Sequence, residues 1–243
     1  MKHVADKARI VADLIVKGQW ACASKKLCRW LYWDTAALCL RRDLSVPFET
    51  RPAKIPLAIR PLQEADIPKL LGAKDALLSG DAAFHLRSSI ALFRFGIGTC
   101  YVASTLDGRP CFLQWLIGAT ENEKLLKYYK GFHAPLAPDQ VLMEYGFTLE
   151  SFRGLGIMSY ALARIAEKGK ELGVRWALTY VSRRNPAAMK GCKRAGFSPF
   201  MLRRESWRFF RRRVSFTLLP EGTPYPFEAR AASQSSEPAP SQT

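Results

Sequence analysis

The chain has 243 residues, of which 48% are hydrophobic, and this length and composition suit one well-packed core. Its 37 Lys and Arg residues outnumber its 21 Asp and Glu residues, and the formal net charge of +16 favours an anionic partner without identifying it. No apolar run approaches the ~20 residues of a membrane-spanning helix, and the first residues lack the apolar core of a signal peptide. The six cysteines lack paired metal-binding spacing, so we expect reduced thiols in a cytoplasmic protein and no metal site.

The first part of the chain is predicted to be helical, over residues 1 to about 45. Large apolar side chains, among them Trp20, Trp30 and Trp33, are interspersed there with Lys and Arg. Such a basic, tryptophan-bearing stretch either packs on the protein's own core or makes peripheral contact with a membrane. The first alternative is favoured because basic faces are usually just solvated. Two prolines in residues 45–52 indicate a linker, so extension and linker together cover residues 1–52.

Two helices and a hairpin are predicted next. The helices are expected over residues 64–71 and 81–94. Strand-forming residues at 98–106 and 109–117 are separated by Asp107-Gly108, a favoured two-residue turn, so these segments predict a β-hairpin.

Residues 119–139, which include His133, are predicted to be an irregular insertion where a substrate-covering loop can lie. Near the other end, aromatic residues alternate with arginines over residues 201–216. This pattern suits a nucleic-acid surface or two terminal strands with one buried face, and the strands are favoured. From residue 228 the composition is mostly Ala, Ser, Gln, Glu and Pro, which predicts a disordered tail.

The most informative stretch covers residues 141–158, an apolar strand followed by a polar turn and a glycine-bearing loop that opens a helix at residues 159–168. Gly154 and Gly156 leave the backbone N–H groups of the first helical turn accessible. Unpaired N–H groups and the positive end of the helix dipole together form an anion site. A phosphate or pyrophosphate is the expected ligand.

Two phosphate-binding signatures fit this loop poorly. It lacks the Gly-Lys-Ser/Thr ending of a P-loop, which argues against magnesium-dependent phosphoryl transfer. A dinucleotide fingerprint would have Gly or Ala in place of Ser159 and an acidic residue where the chain has Ser182-Arg183-Arg184. Those arginines suit a 2′-phosphate, so an NADP-dependent oxidoreductase stays a distant alternative.

Three segments resemble the GCN5-related N-acetyltransferase (GNAT) superfamily. They are the loop Arg153-Gly154-Leu155-Gly156-Ile157, the pattern of Asn185, Ala188 and Gly196-Phe197, and residues 57–67, which are similar to the family's first strand and helix. The resemblance implies an α/β (α+β) fold with a mixed, mostly antiparallel central sheet flanked by helices. The acyltransferase domain would cover residues 53–220, after the helical extension, and a disordered tail would cover residues 221–243.

The resemblance also implies a function, the transfer of an acetyl or other acyl group from acyl-coenzyme A to an amine acceptor by direct attack. In the family, the loop amides hold the pyrophosphate of acetyl-coenzyme A and the preceding strand pairs with the pantetheine arm. Two residues depart from the family pattern: Met158 replaces the usual Gly or Ala, and Cys192 replaces a frequent tyrosine. The implied cofactor-binding residues are Phe147, Thr148, Leu149, Arg153, Gly154, Leu155, Gly156, Ile157, Met158 and Asn185.

Acetyl transfer requires a base, because an alkylamine with a pKa of ~10 is mostly protonated at neutral pH. Glu144 is the first candidate, since it lies on the strand leading to the loop, where many relatives place a carboxylate. Glu150 and His133 are the alternatives. Tyr145 is expected to point to the opposite face of the strand.

Cys192 is a candidate acid, because a thiol with a pKa of ~8.5 could protonate a thiolate of similar strength. It could equally be an inert core cysteine. Asn185 would either contact the cofactor or cap the helix that begins at Pro186.

A different function stays open, a catalytically silent module that keeps the fold and binds an acidic partner through its basic surface. The sequence does not identify the acceptor, which could be an amino sugar, an amino acid, a small amine or a protein amine. It also leaves open the preferred acyl chain and the oligomeric state.

Overall fold

The computed structural model describes residues 2–72, 80–129 and 131–228. The helices are α1 (Lys2–Val16), α2 (Trp20–Leu31), α3 (Asp66–Gly72), α4 (Gly80–Phe95), α5 (Asn122–Tyr129), α6 (Ile157–Glu171) and α7 (Pro186–Arg194). The strands are β1 (Tyr32–Asp43), β2 (Ala58–Pro61), β3 (Thr99–Ser104), β4 (Pro110–Gly118), β5 (Gln140–Thr148), β6 (Trp176–Ser182), β7 (Ser198–Arg208) and β8 (Arg211–Leu218). Within these ranges, no helix has the length and hydrophobicity needed to cross a bilayer.

The described strands form one eight-stranded sheet in the order β2-β3-β4-β5-β6-β1-β7-β8. The β5–β6 pair is parallel and the other pairs are antiparallel. Helices α6 and α7 contribute to the apolar core on one face of the sheet, whereas α3, α4 and α5 contribute to the core on the other. This architecture confirms the predicted fold class, a mixed and mostly antiparallel sheet flanked by helices.

The prediction that the chain is helical to about residue 45 is wrong from Tyr32 onward. Strand β1 lies in the interior of the sheet and pairs antiparallel with both β6 and β7. Leu38, Cys39 and Leu40 are buried on alternating faces of the sheet, as suits a central strand. A short apolar run has no periodicity that distinguishes such a strand from a buried helix. Residues 32–43 are therefore part of the central sheet, and the helical segment is confined to α1 and α2.

The predicted hairpin is confirmed as β3 and β4, but its turn is longer than expected. The Thr105 N–H donates to the Arg109 carbonyl (3.0 Å), and the Gly108 N–H donates to the Thr105 carbonyl (2.9 Å). The loop therefore has three residues and ends with Gly108 in the left-handed region at φ +79°. The two terminal strands are also confirmed, as β7 and β8.

The insertion at residues 119–139 is more ordered than predicted. A 3₁₀ turn over Ala119–Glu121 leads into α5, and residues 131–139 are irregular. The Asn122 side chain donates to the Leu136 carbonyl and accepts from the Leu136 N–H, both at 2.9 Å. These bonds fold the irregular segment back against α5.

The tail predicted to be disordered over residues 221–243 is described only as far as residue 228, and this part is packed. Tyr225 is buried, and its hydroxyl donates to the Phe197 carbonyl at 2.7 Å. Residues 229–243 lie outside the described ranges.

Candidate active site

Strands β5 and β6 separate in the middle of the sheet. Their parallel pairing joins residues 140–143 to residues 176–179 and then stops. Beyond this point β5 stays paired with β4 as far as Thr148, and β6 stays paired with β1 as far as Ser182. The facing edges of residues 144–148 and 180–182 are therefore not joined to each other. This opening gives an extended ligand access to a strand edge.

A β-bulge marks the start of the opening. The β4–β5 register shifts between Leu113 and Trp115, and Tyr145 has a left-handed φ of +54°. Gln114 Nε2 donates to the Glu144 carbonyl at 2.8 Å, and its Oε1 occupies the space that a side chain at Gly146 would need. The bulge interrupts the two-residue alternation of the strand, so the prediction that Tyr145 and Glu144 point to opposite faces is wrong. The ring of Tyr145 instead stacks on the ring of Tyr129, with 6.1 Å between the ring centres, on the side of the strand where Glu144 lies.

Glu144 and His133 form a hydrogen-bonded pair at the bulge. Nε2 of His133 lies 3.1 Å from Oε1 of Glu144, a distance at which the ring N–H donates to the carboxylate. The His133 side chain is 3% exposed and the Glu144 side chain is 15% exposed, so the carboxylate is the member of the pair that solvent or a ligand can reach. Nδ1 of His133 is buried without a hydrogen-bond partner among the described residues.

Aromatic side chains enclose this pair. The rings of Tyr129 and Tyr180 lie 4.5 Å and 5.0 Å from the His133 ring. Burial, and then the charge of Glu144, raise the pKa of Tyr129 well above its usual value, and burial also raises the pKa of Tyr145. At neutral pH these phenols are therefore protonated, so neither of them can accept a proton from an amine.

Arg203 fastens the irregular segment over the sheet. Its guanidinium lies 3.5 Å from the centre of the Phe132 ring, and Nη1 donates to the Phe132 carbonyl at 3.3 Å. Burial lowers the pKa of Arg203, an effect opposed by the carboxylates of Glu144 and Glu205. Sequence reasoning missed Arg203, Tyr129 and Tyr180 as neighbours of the candidate base. The alternation of aromatic residues and arginines in β7 was the only signal that could have pointed to Arg203.

The glycine-bearing loop ends at the start of α6, as predicted. Gly154 and Gly156 have φ values of +78° and +76°, and Gly156 is the N-cap of the helix without a side-chain cap. The Tyr160 N–H donates to the carbonyl of the N-cap residue Gly156 (3.2 Å), so the N–H groups of Ile157 to Ser159 precede the first hydrogen bond of the helix. A Cβ atom at Gly154 would meet nothing within 4 Å. The loop therefore combines helix N–H donors with open space, which suits a pyrophosphate.

Met158 packs away from this open space. A Cβ atom added to Gly191 of α7 would lie 2.9 Å from the Met158 sulfur, so the absence of a side chain at Gly191 accommodates the methionine. Arg153 and Glu150 lie on the surface as a 3.6 Å ion pair, each side chain about half exposed. Glu150 is therefore not part of the buried cluster around Glu144. Leu149 is buried, and its N–H already donates to the Cys111 carbonyl at 3.0 Å.

Asn185 and Cys192 occupy structural positions on α7. Asn185 Oδ1 accepts the Ala188 N–H at 3.0 Å and so caps the helix. Cys192 is 1% exposed in the core beneath α7, and burial raises the pKa of its thiol to about 12. A buried thiol with this pKa is a weak acid for protonating a thiolate, so the catalytic prediction for Cys192 disagrees with its surroundings. Among the described residues, no three His, Cys, Asp or Glu side chains are placed to hold a metal ion.

Three solved structures illustrate what this chain is similar to. A GCN5-related glucosamine N-acetyltransferase region of a fungal multi-domain GH3 β-N-acetylglucosaminidase matches with a TM-score of 0.50 and 17% identity, over 78% of this chain and 22% of that chain. An acetyltransferase of the GNAT family from Colwellia psychrerythraea matches with a TM-score of 0.48 and 12% identity, over 83% and 62%. AAC(6')-Iy, in complex with the bisubstrate analogue CoA-S-monomethyl-acetylneamine, matches with a TM-score of 0.43 and 19% identity, over 59% and 91%.

The chain spans less than two thirds of the length of the fungal and Colwellia proteins. No protein-family model matches it, and no sequence among curated proteins does. The chain shares the fold of the fungal GCN5-related N-acetyltransferase region, in agreement with the resemblance of the three sequence segments.

Proposed function

We propose that this protein is an N-acyltransferase that moves an acetyl group from acetyl-coenzyme A to an amine acceptor by direct attack. The observation that carries the proposal is the continuity of the opening between β5 and β6 with the anion loop at α6. An extended ligand with a pyrophosphate at one end matches this combination of a strand edge that has left its β6 partner and helix N–H groups that precede the first helical hydrogen bond. The GNAT fold supports the same class of reaction.

The residues of the opening and the loop fit coenzyme A. The N–H groups of residues 157–159 would hold its pyrophosphate, and the edge of residues 147–148 would pair with its pantetheine arm. Arg153, exposed beside the loop, adds positive charge for the phosphates. Because Asn185 Oδ1 caps α7, we assign that residue to supporting the helix beside the opening. The bound thioester would supply an activated acyl group.

Glu144 is the proposed general base. Its carboxylate accepts the proton that the attacking amine must lose, and His133 holds the carboxylate at the edge of the opening through the 3.1 Å hydrogen bond. The backbone beyond the bulge is free of β6, so its N–H groups are candidates to stabilise the oxyanion that forms during attack. All six cysteines are free thiols, which supports placing the reaction in the cytoplasm.

Calorimetry with acetyl-coenzyme A, followed by an acceptor screen that measures release of free thiol, tests this function. Heat of binding and thiol release with at least one amine are expected. Binding without turnover of any amine would favour a silent binding module. Absence of binding to acetyl-coenzyme A, together with heat on titrating NADPH, would favour the oxidoreductase instead.

A further inference from the structure

Large apolar side chains stay exposed along α2 and at the start of β1. Trp20 is 65% exposed and Tyr32 is 68% exposed, and Leu27 and Leu31 are each 37% exposed. Trp20, Leu27 and Leu31 are spaced at i, i+7 and i+11, so they share one face of the helix. Only Ala23 is buried in this helix. The apolar face of α2 is therefore wider than the part that the rest of the described chain covers.

The β7–β8 hairpin extends this apolar surface. Its loop is Phe209-Phe210, and the two N–H groups donate to the carbonyls of Leu31 (3.0 Å) and Trp30 (2.7 Å) at the end of α2. Phe209 is 78% exposed, whereas Phe210 packs toward Trp30 at 6.4 Å. We refer to the exposed group as the α2–hairpin surface, which consists of Trp20, Leu27, Leu31, Tyr32 and Phe209.

The loop of this hairpin is conformationally unfavourable. Phe209 and Phe210 have φ values of +46° and +66°, in the left-handed region that a side chain with a Cβ atom disfavours. Two-residue hairpin loops of this kind usually contain Asn-Gly or Asp-Gly, which adopt positive φ more readily. A phenylalanine held exposed at such a position contributes neither core packing nor a relaxed turn. The strain therefore points to a function for the exposed ring.

Positive charge lies on the opposite side of α2 and beside the hairpin loop. Lys25, Lys26 and Arg29 fall on the helix face away from the exposed apolar residues. Arg211 and Arg208 flank the loop, and Arg208 pairs with Asp34 at 2.7 Å. Over residues 9–33 the only carboxylate is that of Asp13, which pairs with Lys17 at 2.8 Å. Exposed tryptophan and leucine on one face of the helix and lysine and arginine on the opposite face form the pattern of a helix that lies in the interface of an anionic bilayer.

We propose that the α2–hairpin surface docks this protein onto membranes that contain anionic phospholipid. Trp20, Leu27, Leu31 and Phe209 enter the boundary between headgroups and acyl chains, while the lysines and arginines stay among the phosphates. Single-stranded nucleic acid would use the charges and the aromatic rings, but stacking gives no role to the two leucines. The charge balance favours an anionic lipid surface over a neutral one.

Sedimentation with vesicles tests the proposal on the full chain. Vesicles of phosphatidylcholine alone are compared with vesicles of equal parts phosphatidylcholine and phosphatidylserine. We expect binding to the mixed vesicles, weak binding to the neutral ones, and a decrease as salt screens the charges. Trp20→Ser and Phe209→Asn should each lower the partition coefficient about tenfold, the effect of withholding one large apolar side chain from burial.

The matched control is Leu106→Ser at the tip of the β3–β4 hairpin, where Leu106 is 75% exposed and distant from β8 in the strand order. It should bind vesicles like the wild type. Phe209→Asn also relaxes the turn, so lowered vesicle binding with equal or higher thermal stability excludes unfolding as the cause.

Equal binding to both vesicle types, no binding to either, or an equal loss in the control would overturn the proposal. Two other outcomes would also overturn it, in each case if the wild type does not bind vesicles. One is binding of a single-stranded polynucleotide that Trp20→Ser abolishes, and the other is concentration-dependent dimerisation that Trp20→Ser abolishes. Because acetyl-coenzyme A is absent from this assay, its outcome is independent of the proposed activity.

Discussion

Glu144→Gln changes the proposed base while leaving the shape of the site nearly intact. The amide oxygen of glutamine can still accept the hydrogen bond from His133 Nε2, which spans 3.1 Å in the wild type. The side chain is 15% exposed, so the new amide NH₂ group can reach solvent and is not left buried without a partner. We therefore expect the folded structure and the affinity for acetyl-coenzyme A to stay close to wild type.

The rate should respond far more than the stability does. General base catalysis contributes ~100-fold to ~10,000-fold, or about 2.7–5.5 kcal/mol on the barrier. We expect kcat/KM to fall at least ~100-fold near neutral pH, where an alkylamine with a pKa of ~10 is mostly protonated. The loss should shrink as the pH rises, because more of the amine is then deprotonated without help from the enzyme.

Thiol release measured across pH with one amine acceptor decides this prediction. Glu150→Gln is the matched control, because it makes the same chemical change at a side chain that is 54% exposed on the nearby surface. The control should keep the wild-type profile. A wild-type pH–rate profile in Glu144→Gln, or the same loss in the control, would refute the assignment of Glu144 as the base.

Three further changes test the loop, the core and an ion pair. Gly156→Val should abolish acetyl-coenzyme A binding in calorimetry and lower the thermal midpoint, since the residue has φ +76° and a β-branched side chain would stand where the pyrophosphate is expected. Cys192→Ser should cost about 1–3 kcal/mol of unfolding free energy in urea titration while kcat of the folded enzyme stays unchanged, because it buries a hydroxyl; a large rate loss at unchanged stability would instead support the catalytic alternative. The hydrogen bond from Arg60 lowers the pKa of Asp66 in the folded protein. The ionised carboxylate therefore stabilises the fold at pH values above its unfolded pKa of ~3.9, and this stabilisation is lost as the pH falls through the lower pKa of the folded state. Asp66→Asn should accordingly weaken the fold at neutral pH and flatten the acid limb of a stability–pH curve, and an unchanged acid limb would contradict this.

The pairing of Glu144 with His133 was only partly predictable. Each residue could be proposed separately, Glu144 from its place on the strand before the loop and His133 from its titration range. Their contact depends on α5, on the bonds between Asn122 and Leu136, and on the stacking of Arg203 on Phe132. Arg203 is 71 residues from Phe132 in the chain, and no local pattern records such a contact.

The sequence by itself determined the features whose causes are local. The glycine loop before α6 and the hairpin of β3 and β4 depend on backbone preferences and helix-start geometry within a few residues. Helices α3, α4 and α6 follow from patterns of similarly short range.

Tertiary structure alone decided where β1 belongs, which way Tyr145 faces and what surrounds Cys192. Ala37 of β1 pairs with Ser182 and Arg203, both more than a hundred positions away. The orientation of Tyr145 depends on a register shift against β4, and the inertness expected of Cys192 depends on the core beneath α7. Strand pairing and burial are set by contacts between segments that are distant in the chain. The sequence shows that a residue is apolar, but it does not show which of these contacts the residue makes.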